Sequence, residues 1–151
     1  MTEFNDRIER VVPLPVPVER AWTAITDPAE VRQWFGDQSD YELREGGEGV
    51  FKWGDNAHRM QIVTLQPPHR YVYRWVISQH DDLATPFAEM LTTLVEYVLE
   101  PIPEGTRLTL TESGFASLPA DQQESNYADN SQGWTEELGK LVSYTEALAA
   151  V

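Results

Sequence analysis

Cysteine is absent from this sequence of 151 residues, and lysine occurs only at Lys52 and Lys140. Without cysteine the chain cannot form a disulfide, a thiol nucleophile or a thiolate metal site. Acidic residues outnumber basic ones, 25 to 11, and the formal net charge is −14. Such a surface repels nucleic-acid phosphates and anionic lipid headgroups, so we expect neither nucleic acid nor membrane as a partner.

Long hydrophobic runs are missing as well. No stretch approaches the ~18 consecutive apolar residues that a membrane span needs. Residues 1–10 carry acids and no apolar run, which is unlike a signal peptide. These features predict a cytoplasmic protein, and the length predicts a single domain over residues 1–151.

Aromatic side chains are abundant: the chain has five Trp, six Tyr and five Phe. Each of them buries a large area, and wide, flat side chains rarely pack without leaving crevices. A hydrophobic content of 41% also argues against disorder. We therefore expect a folded core with space for a small molecule.

Alternation of apolar residues predicts most of the chain to be strand. Residues 7–14 read as one extended segment that ends in a proline-rich stretch. From Tyr41 to Gly114 apolar residues recur at every second position between short turns, which adds about six strands. Short turns join neighbouring antiparallel strands, so the seven segments predict one antiparallel sheet.

Helical signals flank this region on both sides. Two short helices follow the first strand, and Asp27-Pro28 opens the second, with Glu30 predicted to reach back to the cap. The C-terminal part has helical spacing and predicts one long helix beginning as early as Pro119. Gly133 inside this helix is disfavoured, which predicts either a close backbone approach or a break there.

The predicted fold class is α+β. A sheet with one solvated face needs its apolar face covered, and only the C-terminal helix is long enough to do so. We therefore predict a curved sheet of about seven strands packed around the long helix, with the two short helices at one end. An apolar cavity is expected between the sheet and the C-terminal helix.

Several short motifs, spread in order along the chain, resemble a known family. They are Val16-Pro17-Val18-Glu19-Arg20-Ala21-Trp22, Thr26-Asp27-Pro28, Trp34-Phe35, Gly46-Gly47 before Phe51-Lys52-Trp53, Pro67-Pro68 before Val72-Tyr73-Arg74-Trp75, Gly105-Thr106-Arg107-Leu108-Thr109-Leu110-Thr111, Ser113-Gly114-Phe115 and Gly133-Trp134. The chain thus resembles the Aha-type homologues of the activator of the heat-shock-protein-90 ATPase, within the START-like (SRPBCC) superfamily that includes the birch-pollen allergen. The resemblance implies a ligand-binding cavity in a helix-grip fold, and it supplies no catalytic motif.

The candidate ligand-binding residues are the large apolar side chains on the inner faces of the predicted elements. They are Trp34, Phe51, Trp53, Tyr73, Trp75, Tyr97, Leu110, Trp134, Leu138 and Leu141. The hydroxyls of Tyr73 and Tyr97 and the indole nitrogens are expected to supply the few polar contacts that such pockets use.

Other polar residues have simpler explanations. His58, His69 and His80 have no metal-ligand spacing, so no metal and no organic cofactor are expected. Strict alternation places Arg74 and Glu96 on the solvated face as a cross-strand pair. A bulge that turned Arg74 inward would instead select an anionic ligand group.

Three functions are compatible with the sequence. The first is binding of a small apolar or aromatic molecule in the cavity. The second is a cyclase- or hydrolase-type enzyme that uses Tyr or His residues at the pocket mouth, which requires a titratable group in the cavity with a perturbed pKa. The third is a co-chaperone-like interaction module with an exposed apolar patch around 84–91, and a protein partner or homodimer stays open. The segment 78–90 is expected to act as a flap over the pocket.

Overall fold

The computed structural model of the chain describes residues 6–77 and 84–150. These residues form seven strands and three α-helices. The strands are β1 (Arg7–Leu14), β2 (Asp40–Tyr41), β3 (Glu48–Trp53), β4 (Asn56–Gln66), β5 (Arg70–Trp75), β6 (Thr93–Ile102) and β7 (Gly105–Ser113). The helices are α1 (Val18–Thr26), α2 (Pro28–Val31) and α3 (Ala120–Ala149), and short 3₁₀ turns occupy Phe87–Glu89 and Phe115–Ser117.

All seven strands form one antiparallel sheet in the order β1-β7-β6-β5-β4-β3-β2. The strands from β2 to β7 follow one another as a meander, with short connections except between β5 and β6, which residues 76–92 join. The first strand lies beside the last, with Arg7 opposite Ser113 and Leu14 opposite Thr106. The predicted α+β helix-grip architecture is confirmed.

The long helix α3 covers the inner face of the sheet. Its 30 residues span about 45 Å at a rise of 1.5 Å per residue. Its buried stripe consists of Trp134, Leu138, Leu141 and Thr145, as the helical spacing predicts. The helix runs unbroken through Gly133, and no described atom lies within 4 Å of a Cβ placed there. The expected close approach or break at this glycine is therefore wrong.

The two short helices join α3 at one end of the sheet. The Asp27 side chain caps α2 by accepting a hydrogen bond of 3.0 Å from the Ala29 amide. Glu30 does not complete this cap, contrary to expectation. It forms an ion pair of 2.8 Å with Arg20 of α1, and it accepts a hydrogen bond of 2.7 Å from the Tyr144 hydroxyl of α3. The acidic side chain thus ties three helices together.

Arg74 and Glu96 are not paired with each other. Arg74 is exposed and lies opposite Leu94, whereas Glu96 forms an ion pair of 2.6 Å with Arg70. The only register shift between β4 and β5 lies between Ile62 and Thr64 in the described residues, so it does not turn Arg74 inward. Selection of an anionic group by Arg74 is therefore not supported.

The segment 84–91 is partly docked on a buried arginine. The Arg59 side chain donates a hydrogen bond of 2.7 Å to the Thr85 carbonyl, and its guanidinium lies 5.7 Å from the centre of the Phe87 ring. Phe87 is buried, while Leu91 is 52% exposed. Residues 78–83 of the predicted flap lie outside the described residues.

None of the helices in residues 6–77 and 84–150 has the length and apolar character needed to cross a bilayer.

Candidate functional site

A cleft of about 360 Å³ lies between α3 and the ends of β3, β4 and β5. Large apolar side chains form its walls: Phe35, Trp53, Trp75, Ile77 and Trp134. Polar groups and one glycine complete the lining: Asn56, His58, Asp129, Asn130, Gly133 and Glu137. We call this site the aromatic cleft.

The aromatic walls are packed against one another. The Phe35 ring stacks on the Trp134 indole, with 5.3 Å between centroids and 10° between planes. Trp53 meets the same phenyl ring edge-on at 4.8 Å, and Trp75 lies 5.9 Å from Trp134. Phe35 follows α2 in a turn, and Trp53, Trp75 and Trp134 belong to β3, β5 and α3, so four separate parts of the chain hold these rings in place.

Behind the walls lies Glu112, a carboxylate with no exposed surface. The indole nitrogen of Trp75 donates to its Oε2 atom and that of Trp134 to its Oε1 atom, each over 2.8 Å. The Thr93 hydroxyl also donates to Oε2, and the Asn130 amide donates to both oxygens at 3.0 and 3.1 Å. Because buried polar groups are costly unless they are paired, this full set of donors explains how the acid is accommodated.

Opposing effects act on the ionisation of Glu112. Burial raises the pKa of its carboxyl above the ordinary value, because water no longer solvates the charged form. The donors from Thr93, Trp134, Trp75 and Asn130 act in the opposite direction, since each of them stabilises the carboxylate. Glu112 therefore fixes the two indoles of the cleft while it is itself shielded from an occupant.

His58 lines the cleft as a neutral base. Burial lowers the pKa of its imidazole below the ordinary value. Its Nδ1 atom lies 2.9 Å from the carbonyl oxygen of Val76. A carbonyl only accepts hydrogen bonds, so Nδ1 carries the proton and the lone pair is on Nε2.

Glu137 supplies a second acidic group, at the α3 side of the cleft. Its side chain is 14% exposed, and Oε1 accepts a hydrogen bond of 3.2 Å from Lys140. The Oε2 atom is buried, and no described group donates a hydrogen bond to it. Burial raises the pKa of Glu137, and hydrogen bonds from Lys140 and from the Trp53 side chain oppose this change.

The predicted binding residues are divided between the cleft and the closed core. Trp53, Trp75 and Trp134 line the aromatic cleft, and Trp34 lines a neighbouring depression with Trp53 and Lys140. The other six predicted residues do not line this cleft, and each is at most 2% exposed within the packed core: Phe51, Tyr73, Tyr97, Leu110, Leu138 and Leu141. Ligand contact by any of the ten stays a prediction.

The groups that were expected to make polar contacts with a ligand form hydrogen bonds within the protein instead. The hydroxyls of Tyr73 and Tyr97 face each other at 3.4 Å, and the Trp75 and Trp134 nitrogens donate to Glu112. The polar groups that do line the cleft come from the start of β4 and from one face of α3. In the described residues no group of three or more His, Asp or Glu side chains is arranged to hold a metal, and His80 lies outside them.

Sequence reasoning missed Phe35, His58, Asn130, Glu112 and Glu137 as members of this site. Glu112 had a readable signal: it continues the inward alternation of Leu108 and Leu110 on β7, so an acid follows two core residues on the apolar face. No such signal marked Phe35, because its place depends on a turn after α2.

The fold and the cleft together define a helix-grip domain of the START-like class. A family profile described as "Activator of Hsp90 ATPase homolog 1-like protein" matches residues 15–146. The chain belongs to this family, and the resemblance inferred from its motifs is confirmed. A search of curated proteins finds no match.

Solved structures with this fold include MLL2253 from Mesorhizobium loti, which is 22% identical with a TM-score of 0.77 over 93% of this chain and 97% of that one. DynU16, from the dynemicin biosynthetic locus, is 26% identical with a TM-score of 0.74 over 94% of this chain, which spans 48% of DynU16. The Aha1 protein of Colwellia psychrerythraea, solved as a dimer, is 16% identical with a TM-score of 0.69 over 95% of this chain and 96% of that one.

Proposed function

We propose that this protein binds a small aromatic or apolar molecule in the aromatic cleft. The observation that carries the proposal is the set of four aromatic side chains around a volume of about 360 Å³. Small-molecule sites are concave, mostly apolar and roughly 300–1,000 Å³ in volume, with a few polar groups that orient the ligand. The cleft has each of these properties.

Preorganisation of the walls supports the proposal. Phe35, Trp75 and Trp134 are almost fully buried and held by stacking or by hydrogen bonds to Glu112. Rings that are already ordered lose little conformational freedom when a ligand arrives, so more of the contact energy appears as affinity. The similarity to DynU16, a protein of a biosynthetic locus, also fits the handling of a small molecule.

The test uses two glycines of α3 that differ only in location. Gly133 lines the cleft and Gly139 is exposed, and at both positions an added Cβ meets no described atom within 4 Å. Binding of naphthalene-type probes is measured by isothermal titration calorimetry, after native mass spectrometry has checked the purified protein for a bound molecule. We expect Gly133→Leu to abolish binding and Gly139→Leu to preserve it.

Other results would change the assignment. Equal binding by both leucine variants would place the ligand outside the cleft. A clean apo mass together with no binding of aromatic or lipid probes would contradict the proposal and favour a protein-interaction role.

Catalysis in the same cleft is a second candidate, favoured by His58. A neutral imidazole with its lone pair on Nε2 is a competent general base for a hydrolase- or cyclase-type reaction. Release of naphthol from naphthyl acetate is a direct assay for hydrolysis. We expect turnover that is lost in His58→Gln and kept in His69→Gln, which changes an exposed imidazole; identical rates in both variants would remove this candidate.

A further inference from the structure

Hydrogen bonds inside the protein occupy donors of four side chains that line the aromatic cleft. The indole N–H groups of Trp75 and Trp134 and the amide N–H of Asn130 all donate to Glu112. The Nδ1–H group of His58 donates to the Val76 carbonyl. These four lining side chains therefore have little left to donate to an occupant.

Acceptors remain on the same residues. An amide that donates through its nitrogen keeps its carbonyl oxygen, so Asn130 offers Oδ1, and a neutral imidazole protonated at Nδ1 offers Nε2 on His58. Glu137 adds a buried oxygen, Oε2, to which no described group donates. Together these acceptors favour an occupant that brings a donor with it.

The charged side chains among the described residues that line the cleft are all acidic. Asp129 and Glu137 lie eight residues apart on α3, on the face that lines the cleft with Asn130, Gly133 and Trp134 between them. Among the described lining residues there is no lysine or arginine, and Lys140 reaches Glu137 only through Oε1. Faces of tryptophan rings also attract cations, so the walls and the carboxylates favour the same kind of charge.

We propose, on the basis of the proposed binding function, that the occupant of the aromatic cleft is an organic cation. Its chemical class is a primary or secondary ammonium carried on an aromatic or apolar body. The body stacks among Trp53, Trp75 and Phe35, and the ammonium approaches the Glu137 carboxylate and neighbouring acceptors. An anionic ligand of the same shape is disfavoured because the carboxylates repel it.

The experiment compares three probes of one shape and different charge: naphthylmethylammonium, naphthylmethanol and naphthoate. Calorimetry at neutral pH measures the affinity of each for the wild-type protein. We expect the ammonium to bind about tenfold more tightly than the alcohol, and the carboxylate to bind most weakly.

Two variants that each remove one negative charge test whether the preference for the ammonium probe arises in the cleft. Glu137→Gln removes the proposed ammonium contact, and we expect the preference of ammonium over alcohol to fall by about fivefold or more. Glu136→Gln, on the exposed side of the same helix, is expected to leave the preference unchanged. Thermal unfolding checks that both variants are folded, and Asp129→Asn replaces Glu137→Gln if the latter is not.

The outcomes separate the two proposals. Equal affinities for the three probes, or tightest binding of naphthoate, would overturn the cationic occupant and leave binding in the cleft intact. Ammonium binding that survives both Glu137→Gln and Gly133→Leu would show attraction to the acidic surface only, which also overturns the inference. Failure of all three probes to bind would overturn the proposed function and this inference with it.

Discussion

Trp75 and Trp134 donate hydrogen bonds to opposite oxygens of one buried carboxylate. The first indole belongs to β5 and the second to α3, and both nitrogens lie 2.8 Å from Glu112 of β7. The acid therefore links sheet and helix across the core, directly behind the walls of the cleft. Two aromatic rings that would otherwise be held by packing alone also have their orientation set by hydrogen bonds.

Replacing Glu112 with glutamine is expected to destabilise the fold. The amide has one acceptor oxygen in place of two and presents an N–H group to an existing donor, so at least one buried indole loses its partner. We expect the free energy of unfolding to fall by about 2–3 kcal/mol. Urea unfolding followed by far-UV circular dichroism measures this change.

Glu100→Gln is the matched control, because Glu100 is exposed on β6. It is expected to change the free energy of unfolding by less than about 0.5 kcal/mol. A Glu112→Gln variant as stable as this control would mean that the hydrogen bonds around the carboxylate contribute nothing to folding.

His58 is expected to make stability depend on pH. Burial lowers its pKa in the folded state, so between the folded and unfolded pKa values the unfolded chain binds more protons. The stabilising contribution of the neutral imidazole is therefore present above about pH 6.5 and is lost as the pH falls below that value. The measurement is the difference in free energy of unfolding between wild type and His58→Gln on both sides of this pH.

We expect the free energy of unfolding of the wild type to fall relative to that of His58→Gln as the pH decreases. His69→Gln controls for the loss of an exposed histidine. A difference that does not change with pH would contradict the lowered pKa of His58.

Alanine at either open glycine of α3 is expected to stabilise the protein. Glycine inside a helix costs about 0.5–1 kcal/mol relative to alanine, and neither Gly133 nor Gly139 has a described neighbour that would obstruct the new methyl group. Thermal unfolding of Gly133→Ala and Gly139→Ala measures the gain. A loss of stability at Gly133 alone would reveal a contact in the cleft that the described residues do not make.

The link between Tyr144 and Glu30 is expected to stabilise the docking of α3 on the short helices. Removing the hydroxyl in Tyr144→Phe eliminates one hydrogen bond to a carboxylate, for an expected loss of about 1–2 kcal/mol. A double-mutant cycle with Glu30→Gln isolates the pair from the separate ion pair with Arg20. A coupling energy near zero would show that the contact is energetically neutral.

The sequence was sufficient for the fold because each element has a clear period. Strand alternation and the helical stripe through Trp134, Leu138 and Leu141 fix which residues face inward. The choice of cleft residues was harder, since it depends on how α3 is seated on the sheet. Phe51 and Tyr97 face inward as predicted, yet neighbouring rings fill the space around them, whereas Trp53 lies at the open end.

The polar part of the site was less predictable still. Alternation on β7 was enough to place Glu112 inside, but its donors come from β5, β6 and α3, and no local pattern in the sequence brings these together. His58 is similar: its tautomer follows from the Val76 carbonyl on the neighbouring strand end, which is a tertiary contact.

Three of the five tryptophans in the chain line the aromatic cleft. The walls of one site therefore hold most of the indole fluorophores of the chain, and two of these are hydrogen-bonded to the same buried carboxyl group. Entry of a molecule between these rings changes the polarity and quenching around the emitters directly. The protein thus carries its own optical probe, and occupancy can be followed in dilute solution without a label.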